Sequence, residues 1–305
     1  VLEQDATKST HVASASFPLR QHKTLWWKEA SLFGLFYAAY TFTRNQFGSD
    51  YINGVEVPMQ AFNNAMKMIN LERLLGLYHE ESVQDAFLGY RWFIQAMNTY
   101  YGTAHFFVTI AVFIVLYKKR PDVFPQWRNT LAATTALAII GFSLFPLMPP
   151  RLLDAPCPAD GGYGGACIYA TERGSDDGKN NFGFVDTLEV YGGPWDFSSG
   201  AAAKVSNQYA AMPSLHIGWA SWCAFALWPI AKRKWIRAAL LLYPALTLFC
   251  VVVTANHYWI DGVGGQVTLL FGFLIGTGIH KWNHRRLDNK YHRELERARE
   301  EGVVL

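Results

Sequence analysis

Six stretches of this 305-residue chain approach the length and apolarity of a bilayer-spanning helix: 25–43, 99–117, 130–147, 214–231, 235–254 and 261–280. Such a helix needs about 20 mostly apolar residues. Gly262 through Ile279 holds no charge, and 235–254 holds one, Arg237, near its end, where a long side chain reaches the interface. The first stretch is the weakest, with Lys28 and Glu29 one turn inside it. The alternative is a large soluble all-α protein, but buried soluble helices seldom run this far without a charge. The expected fold is all-α: a polytopic membrane protein with six transmembrane helices in a bundle.

Charge placement tests this independently, because cytoplasmic flanks of membrane helices are rich in Lys and Arg. With six spans, the tails and the second and fourth loops share one side, which carries 17 Lys and Arg residues; the other side carries 8, spread over more residues. Clusters at 118–120, at 232–234 and from Lys281 to Arg299 account for most of the excess. The asymmetry predicts cytoplasmic termini and extracytoplasmic first, third and fifth loops. The predicted organisation is a cytoplasmic tail over 1–24, a membrane domain over 25–280 with an external loop at 148–213, and a basic cytoplasmic tail over 281–305. The first 24 residues are polar and lack the apolar core of a cleavable signal, so the first span is expected to drive insertion. The chain opens on Val rather than Met, which leaves its native start open.

Charged residues make up only 17% of the chain, against about 25% in ordinary soluble proteins. A mean hydropathy of +0.05 looks low for a membrane protein because the chain is a mosaic of apolar runs and polar loops. A net charge of +3 without a basic stripe interleaved with aromatics argues against nucleic acid as a partner. Between the first two spans, Met66, Ile69, Leu74, Leu77 and Tyr78 recur at roughly helical spacing. This fits an amphipathic helix lying in the outer interface, or equally one packed on the bundle. Cys223 and Cys250 fall inside spans and read as small apolar fillers. Cys157 and Cys167 lie in the long outer loop, where an oxidising exterior permits a disulfide. No Cys or His spacing suggests a metal site.

Three short motifs carry the chemistry. MPPR ends at Arg151 after the third span, MPSLH at 212–216 opens the fourth, and NHYWID at 256–261 opens the sixth. Far apart in sequence, all three fall where a helix meets the outer face. His257 and Asp261, four apart, share a helix face. An Asp that accepts one imidazole proton fixes the tautomer and leaves the other nitrogen nucleophilic; the pair also reads as a plain interfacial hydrogen bond. Ser214 suits a helix cap, and the free amides beside it suit an anion. His216 in that turn suits protonation of a leaving oxygen, or is incidental to an ordinary cap. The planar fork of Arg151 matches phosphate oxygens, or snorkels. Together they supply a nucleophile, its orienter, a general acid and an anion clamp, a set that needs no metal or other cofactor and suits phosphoryl transfer. His105, inside the second span, reads as a hydrogen-bonded bundle residue rather than a proton relay.

This pattern resembles the type 2 phosphatidic acid phosphatase superfamily. PSLH resembles the family's second motif, HYWID the HxxxD end of its third, and PPR the arginine end of its first. The similarity is closer to the inositol phosphotransferase branch, which includes fungal inositol phosphorylceramide synthase. The resemblance is sharp over about 140–265 and implies a phosphohistidine on His257, oriented by Asp261. It gives His216 the leaving-group proton and sets Arg151 and Ser214 on the phosphoryl oxygens. Two cationic positions of the wider superfamily are apolar here. Leu144 stands seven residues before the Arg, and Val251 and Val252 stand where a Ser-Arg pair precedes the third motif. The expected function is a metal-independent lipid-phosphate phosphatase or phosphotransferase. Its partners would be the membrane, a phospholipid or polyprenyl phosphate and, for transfer, a second acceptor alcohol. A transporter or scaffold with a vestigial site is the alternative from another class, and prenyl-diphosphate chemistry on the same fold is a third.

Overall fold

The computed structural model describes residues 25–46, 51–52, 55–155, 182–192 and 208–300. Cys157 and Cys167, the 1–24 tail and much of the 148–213 loop lie outside the described residues. The described chain is helical apart from a two-residue antiparallel ribbon, β1 (Tyr51–Ile52) with β2 (Val55–Glu56). The helices are α1 (Trp26–Gln46), α2 (Val57–Leu75), α3 (Glu80–Leu88), α4 (Arg91–Lys119), α5 (Phe124–Leu144), α6 (Thr187–Tyr191), α7 (Leu215–Leu227), α8 (Lys234–Val253) and α9 (Trp259–Glu300). A 3-10 turn over Pro150–Leu152 follows α5.

Every apolar stretch read from the sequence is helical, but the bounds differ. Three described helices, Arg91–Lys119, Lys234–Val253 and Trp259–Arg297, are long and apolar enough to cross a bilayer. The stretch at 130–147 is helical only to Leu144, because Phe145 precedes Pro146, which disfavours helical backbone before it. The stretch at 214–231 stops at Leu227, with Trp228 before Pro229. At 13 residues, α7 is shorter than a bilayer-crossing helix needs. Past residue 280, α9 continues without a break to Glu300, so the basic tail is largely an extension of the last apolar helix.

A helix that is apolar all round belongs in a core. α7 takes that place, with Ile217 through Ala224 and Ala226 buried among α4, α5, α8 and α9. The buried indoles of this helix find acceptors: Trp219 Nε1 donates to Thr135 Oγ1 at 3.1 Å, and Trp222 Nε1 to the Trp127 carbonyl at 2.9 Å. Cys223 and Cys250 are buried free thiols, as expected of apolar fillers. Outward faces remain apolar, with Phe107, Ile114, Leu242, Leu270 and Leu274 exposed. With the three long apolar helices, such a surface marks a membrane protein.

α5 and α9 pack most closely. Gly272 and Gly276 of α9 face Thr134 and Thr130 of α5, and a Cβ on Gly276 would stand 2.5 Å from the Thr130 nitrogen. Both threonine hydroxyls donate back to their own helix, to Gln126 O at 3.0 Å and Thr130 O at 2.8 Å. Two backbones thus meet with no unpaired polar group between them, the usual solution for helix association in lipid. Glu29, one of the charges that weakened the first stretch, is not left bare: Arg128 of α5 holds both its oxygens at 2.6 and 2.7 Å.

α2 is packed on the bundle through Ala61, Phe62, Ala65 and Ile69, which join Leu147, Met148, Ala255 and Tyr258 in one cluster. Leu74 and Leu77, read as part of the same stripe, are exposed. Successive bundle helices alternate in direction, so the end of α5 and the starts of α7 and α9 gather at one end. The clusters at 118–120 and 232–234 lie at the other.

Candidate active site

The three motifs meet at that one end, joined by main-chain hydrogen bonds. α8 closes in a Schellman pattern, Asn256 N–H to Val251 O at 2.9 Å and Ala255 N–H to Val252 O at 2.8 Å. Ala255 fills the left-handed position usually taken by glycine, at φ 53°. A non-glycine residue there costs on the order of 1 kcal/mol. The turn aims the Ala255 carbonyl at the Arg151 amide, 2.8 Å away, and so ties the first motif to the third. Tyr258 Oη donates to the Met148 carbonyl at 3.1 Å, a second tie between them. Ser214 N–H donates to the Asp261 carbonyl at 3.1 Å and ties the second motif to the third.

His257 is buried, and its Nδ1 lies 3.1 Å from Asp261 Oδ2. The same oxygen accepts the Tyr258 amide at 3.0 Å. With a carboxylate beside it, Nδ1 carries the proton, and Nε2 is the nitrogen with the lone pair. His216 faces this imidazole with ring centres 5.7 Å apart. The ring of His216 stacks on Tyr101 at 4.4 Å and meets His105 edge-on at 4.6 Å. His105 Nδ1 lies 3.1 Å from the Tyr101 carbonyl, which only accepts, so Nδ1 is its protonated nitrogen. The reading of His105 as a bundle residue misses this contact with His216.

Arg151 is buried rather than snorkelling. Its Nε donates to Asn256 Oδ1 at 3.1 Å, one terminal nitrogen to Asp186 Oδ2 at 2.5 Å and the other to Gln208 Oε1 at 3.4 Å. Asp186 uses its second oxygen to cap α6, accepting from the Leu188 and Glu189 amides. A cavity of about 210 Å³ lies among these groups, lined by Tyr37, Tyr101, His105, Arg151, His216 and His257 among others.

Ser214 differs from expectation. It stands at the cap position of α7, but its hydroxyl is fully buried, makes no capping bond and finds no partner. It does not line the cavity. Backbone binding to Asp261 and to Gly218 holds the residue instead. Asp186, Gln208 and Asn256 were not read from the sequence. Only Asp186 left a trace there, an Asp three residues before Glu189 in the manner of a capping box. Among the described residues, no group of three His, Cys, Asp or Glu side chains converges to hold a metal ion.

A family model described as the PAP2 superfamily matches residues 66–275, well over half of the chain. The chain belongs to the PAP2 superfamily. The PAP2 match begins within α2 and ends within α9, so it takes in all three motifs and leaves α1 outside. The inositol phosphorylceramide synthase catalytic subunit aur1 of Schizosaccharomyces pombe (strain 972 / ATCC 24843) is 25% identical over 180 residues, 59% of this chain and 39% of that protein. The chain thus spans about two fifths of the length of this curated relative. Both findings agree with the family and branch that the motifs resemble. No solved structure matches the chain.

The PAP2 site lacks the further cations at the positions noted above. Leu144 is exposed on the outer face of α5, and Val251 and Val252 are buried in an apolar cluster with Ile217. Among the described residues lining the cavity, Arg151 is the sole Lys or Arg.

Proposed function

We propose that this protein is a membrane-embedded lipid-phosphate phosphatase or phosphotransferase that works through a phosphohistidine on His257. The site end faces the extracytoplasmic side of a six-span bundle. The carrying observation is the pairing of His257 with Asp261, which leaves Nε2 as the nucleophile beside His216 and Arg151.

In the first step, Nε2 of His257 attacks phosphorus and the bond from phosphorus to the leaving oxygen breaks. His216, protonated, gives its proton to that oxygen. In the second step, water or an acceptor alcohol loses a proton to His216 and attacks phosphorus. The phosphorus–nitrogen bond breaks, and its electron pair returns to Nε2. Asp261 holds the Nδ1 proton throughout and stabilises the positive ring. Arg151 turns from Asp186 and Gln208 towards the phosphoryl oxygens, and the amides of the first turn of α7 assist. Ser214 contributes through its backbone place in that turn. The chemistry draws on no metal.

Among the described residues lining the cavity, Arg151 is the one permanent cation, which favours a phosphodiester, such as a phospholipid head group, over a dianionic phosphomonoester. The name of the fission-yeast relative supports transfer to a second alcohol. The test incubates purified protein with labelled phospholipids and lipid monophosphates, with and without an alcohol acceptor, in excess chelator. Turnover with acid-labile label on His257 is expected. Metal-dependent turnover, or label elsewhere, overturns the mechanism.

A further inference from the structure

Two glutamates outside the proposed chemistry hold the helix on which it depends. The first amides of a helix have no partner within it. At the start of α9, three consecutive amides are met by three carboxyl groups. Tyr258 N–H donates to Asp261 Oδ2 at 3.0 Å, Trp259 N–H to Glu80 Oε1 at 3.2 Å, and Ile260 N–H to Glu72 Oε1 at 2.9 Å. Glu72 lies in the last turn of α2 and Glu80 opens α3. Both are fully buried.

The two carboxyls play different parts. Glu80 uses both oxygens on N–H donors, Oε1 on Trp259 and Oε2 on the His79 amide at 3.0 Å. Glu72 uses only Oε1, and its Oε2 receives no hydrogen bond. Of this close buried pair, Glu72 is the one that lacks a second donor, and the proton that such a pair keeps sits there. Burial first, and the neighbouring Glu80 second, push the Glu72 carboxyl up to about 9. Asp261 of α9 also bears on Glu72, as does Tyr258 beside it, and Tyr78 faces Glu80 from the turn after α2. Arg73 lies over the Tyr78 ring at 4.8 Å.

We propose that Glu72 and Glu80 are positioning residues for His257: by clamping the first turn of α9 they fix Asp261, and through it the imidazole, against His216 and Arg151. The inference rests on His257 acting as the nucleophile.

Glu72→Gln, Glu72→Ala and Glu80→Gln are compared with the unaltered chain across pH on a lipid phosphate. In Glu72→Gln the side-chain carbonyl still accepts from Ile260 and the amide N–H₂ replaces the proton. Its kcat at neutral pH stays within about threefold, under 1 kcal/mol of barrier. The unaltered chain is expected to lose kcat as Glu72 ionises near pH 9, and that component is absent in this variant. In Glu80→Gln an amide donor must face the Trp259 or His79 amide, donor against donor. Its kcat falls on the order of 100-fold with KM unchanged, the cost of a small misplacement. Glu72→Ala behaves alike. A folded Glu80→Gln protein with undiminished kcat overturns the proposal, as does a pH profile of Glu72→Gln that coincides with that of the unaltered chain. Should Glu80→Gln fail to fold, the pH profile of Glu72→Gln decides. Inactivity of the unaltered chain on every lipid phosphate overturns the function itself, and this inference with it.

Discussion

The Ser214 amide donates to the Asp261 carbonyl, 47 residues away in sequence, at 3.1 Å. One bond therefore joins the helix start that carries His216 to the one that carries His257. The proposed acid and nucleophile keep their spacing through main chain, which leaves proton exchange as the task of their side chains.

The roles of the two histidines separate by leaving group. His257→Ala is expected to lose both turnover and covalent label. His216→Ala accepts label only slowly from an alkyl ester but recovers part of its rate on an aryl phosphate, whose leaving oxygen needs no proton. Asp261→Asn keeps the fold but costs roughly 10²–10⁴-fold in kcat, as loss of an orienting carboxylate does elsewhere. Rates on alkyl and aryl esters for each variant check this. Equal deficits of His216→Ala on both would remove it as the acid.

Asp186 competes with phosphate for Arg151. Asp186→Asn preserves the capping oxygen for α6 and removes the charge from the guanidinium. Inhibition by inorganic phosphate should tighten roughly tenfold, about 1.4 kcal/mol, within the worth of a hydrogen bond to a charged group. A phosphate titration of initial rates measures it. An unchanged inhibition constant means that the ion pair does not gate the anion.

Gly276→Val drives a branched side chain into the backbone of α5. Overpacking of this kind costs about 1–3 kcal/mol. Its melting temperature in detergent should drop by several degrees, while Gly278→Val, where a Cβ meets nothing nearby, leaves it near the unaltered value. Equal shifts at both positions would argue against the seam.

Glu72 also makes stability depend on pH. Its carboxyl is raised from 4.5 to about 9, chiefly by burial. Across that window the folded chain holds a proton that the unfolded chain has lost, so its contribution declines as pH rises from about 4.5 to about 9. Melting temperature against pH should be flatter in Glu72→Gln than in the unaltered protein. Parallel curves would show that Glu72 does not titrate there.

Local patterns were legible in the sequence, and distant pairings were not. Hydropathy marked each apolar helix, because twenty apolar residues advertise themselves without reference to partners. That His257, Asp261, His216 and Arg151 come together was legible because each sits where a helix begins or ends. Glu72 lies between the apolar positions of the α2 stripe and was not singled out, because its contact is with Ile260, 188 residues away. Asp186 and Gln208 lie in a loop without periodicity, and only the fold brings them to Arg151. Ser214 stands at the cap position of α7, as its local signal indicates, but Gly265 packs against its carbonyl and the hydroxyl is sealed inside without a capping bond.

α9 runs 42 residues without interruption, about 63 Å at 1.5 Å per residue. Its last twenty or so residues stand clear of the bundle, largely exposed and charged. That projecting rod is a handle. A small soluble domain joined in helical register after Glu300 would inherit a fixed orientation from the membrane core. An imaging experiment could then align particles on the appended mass.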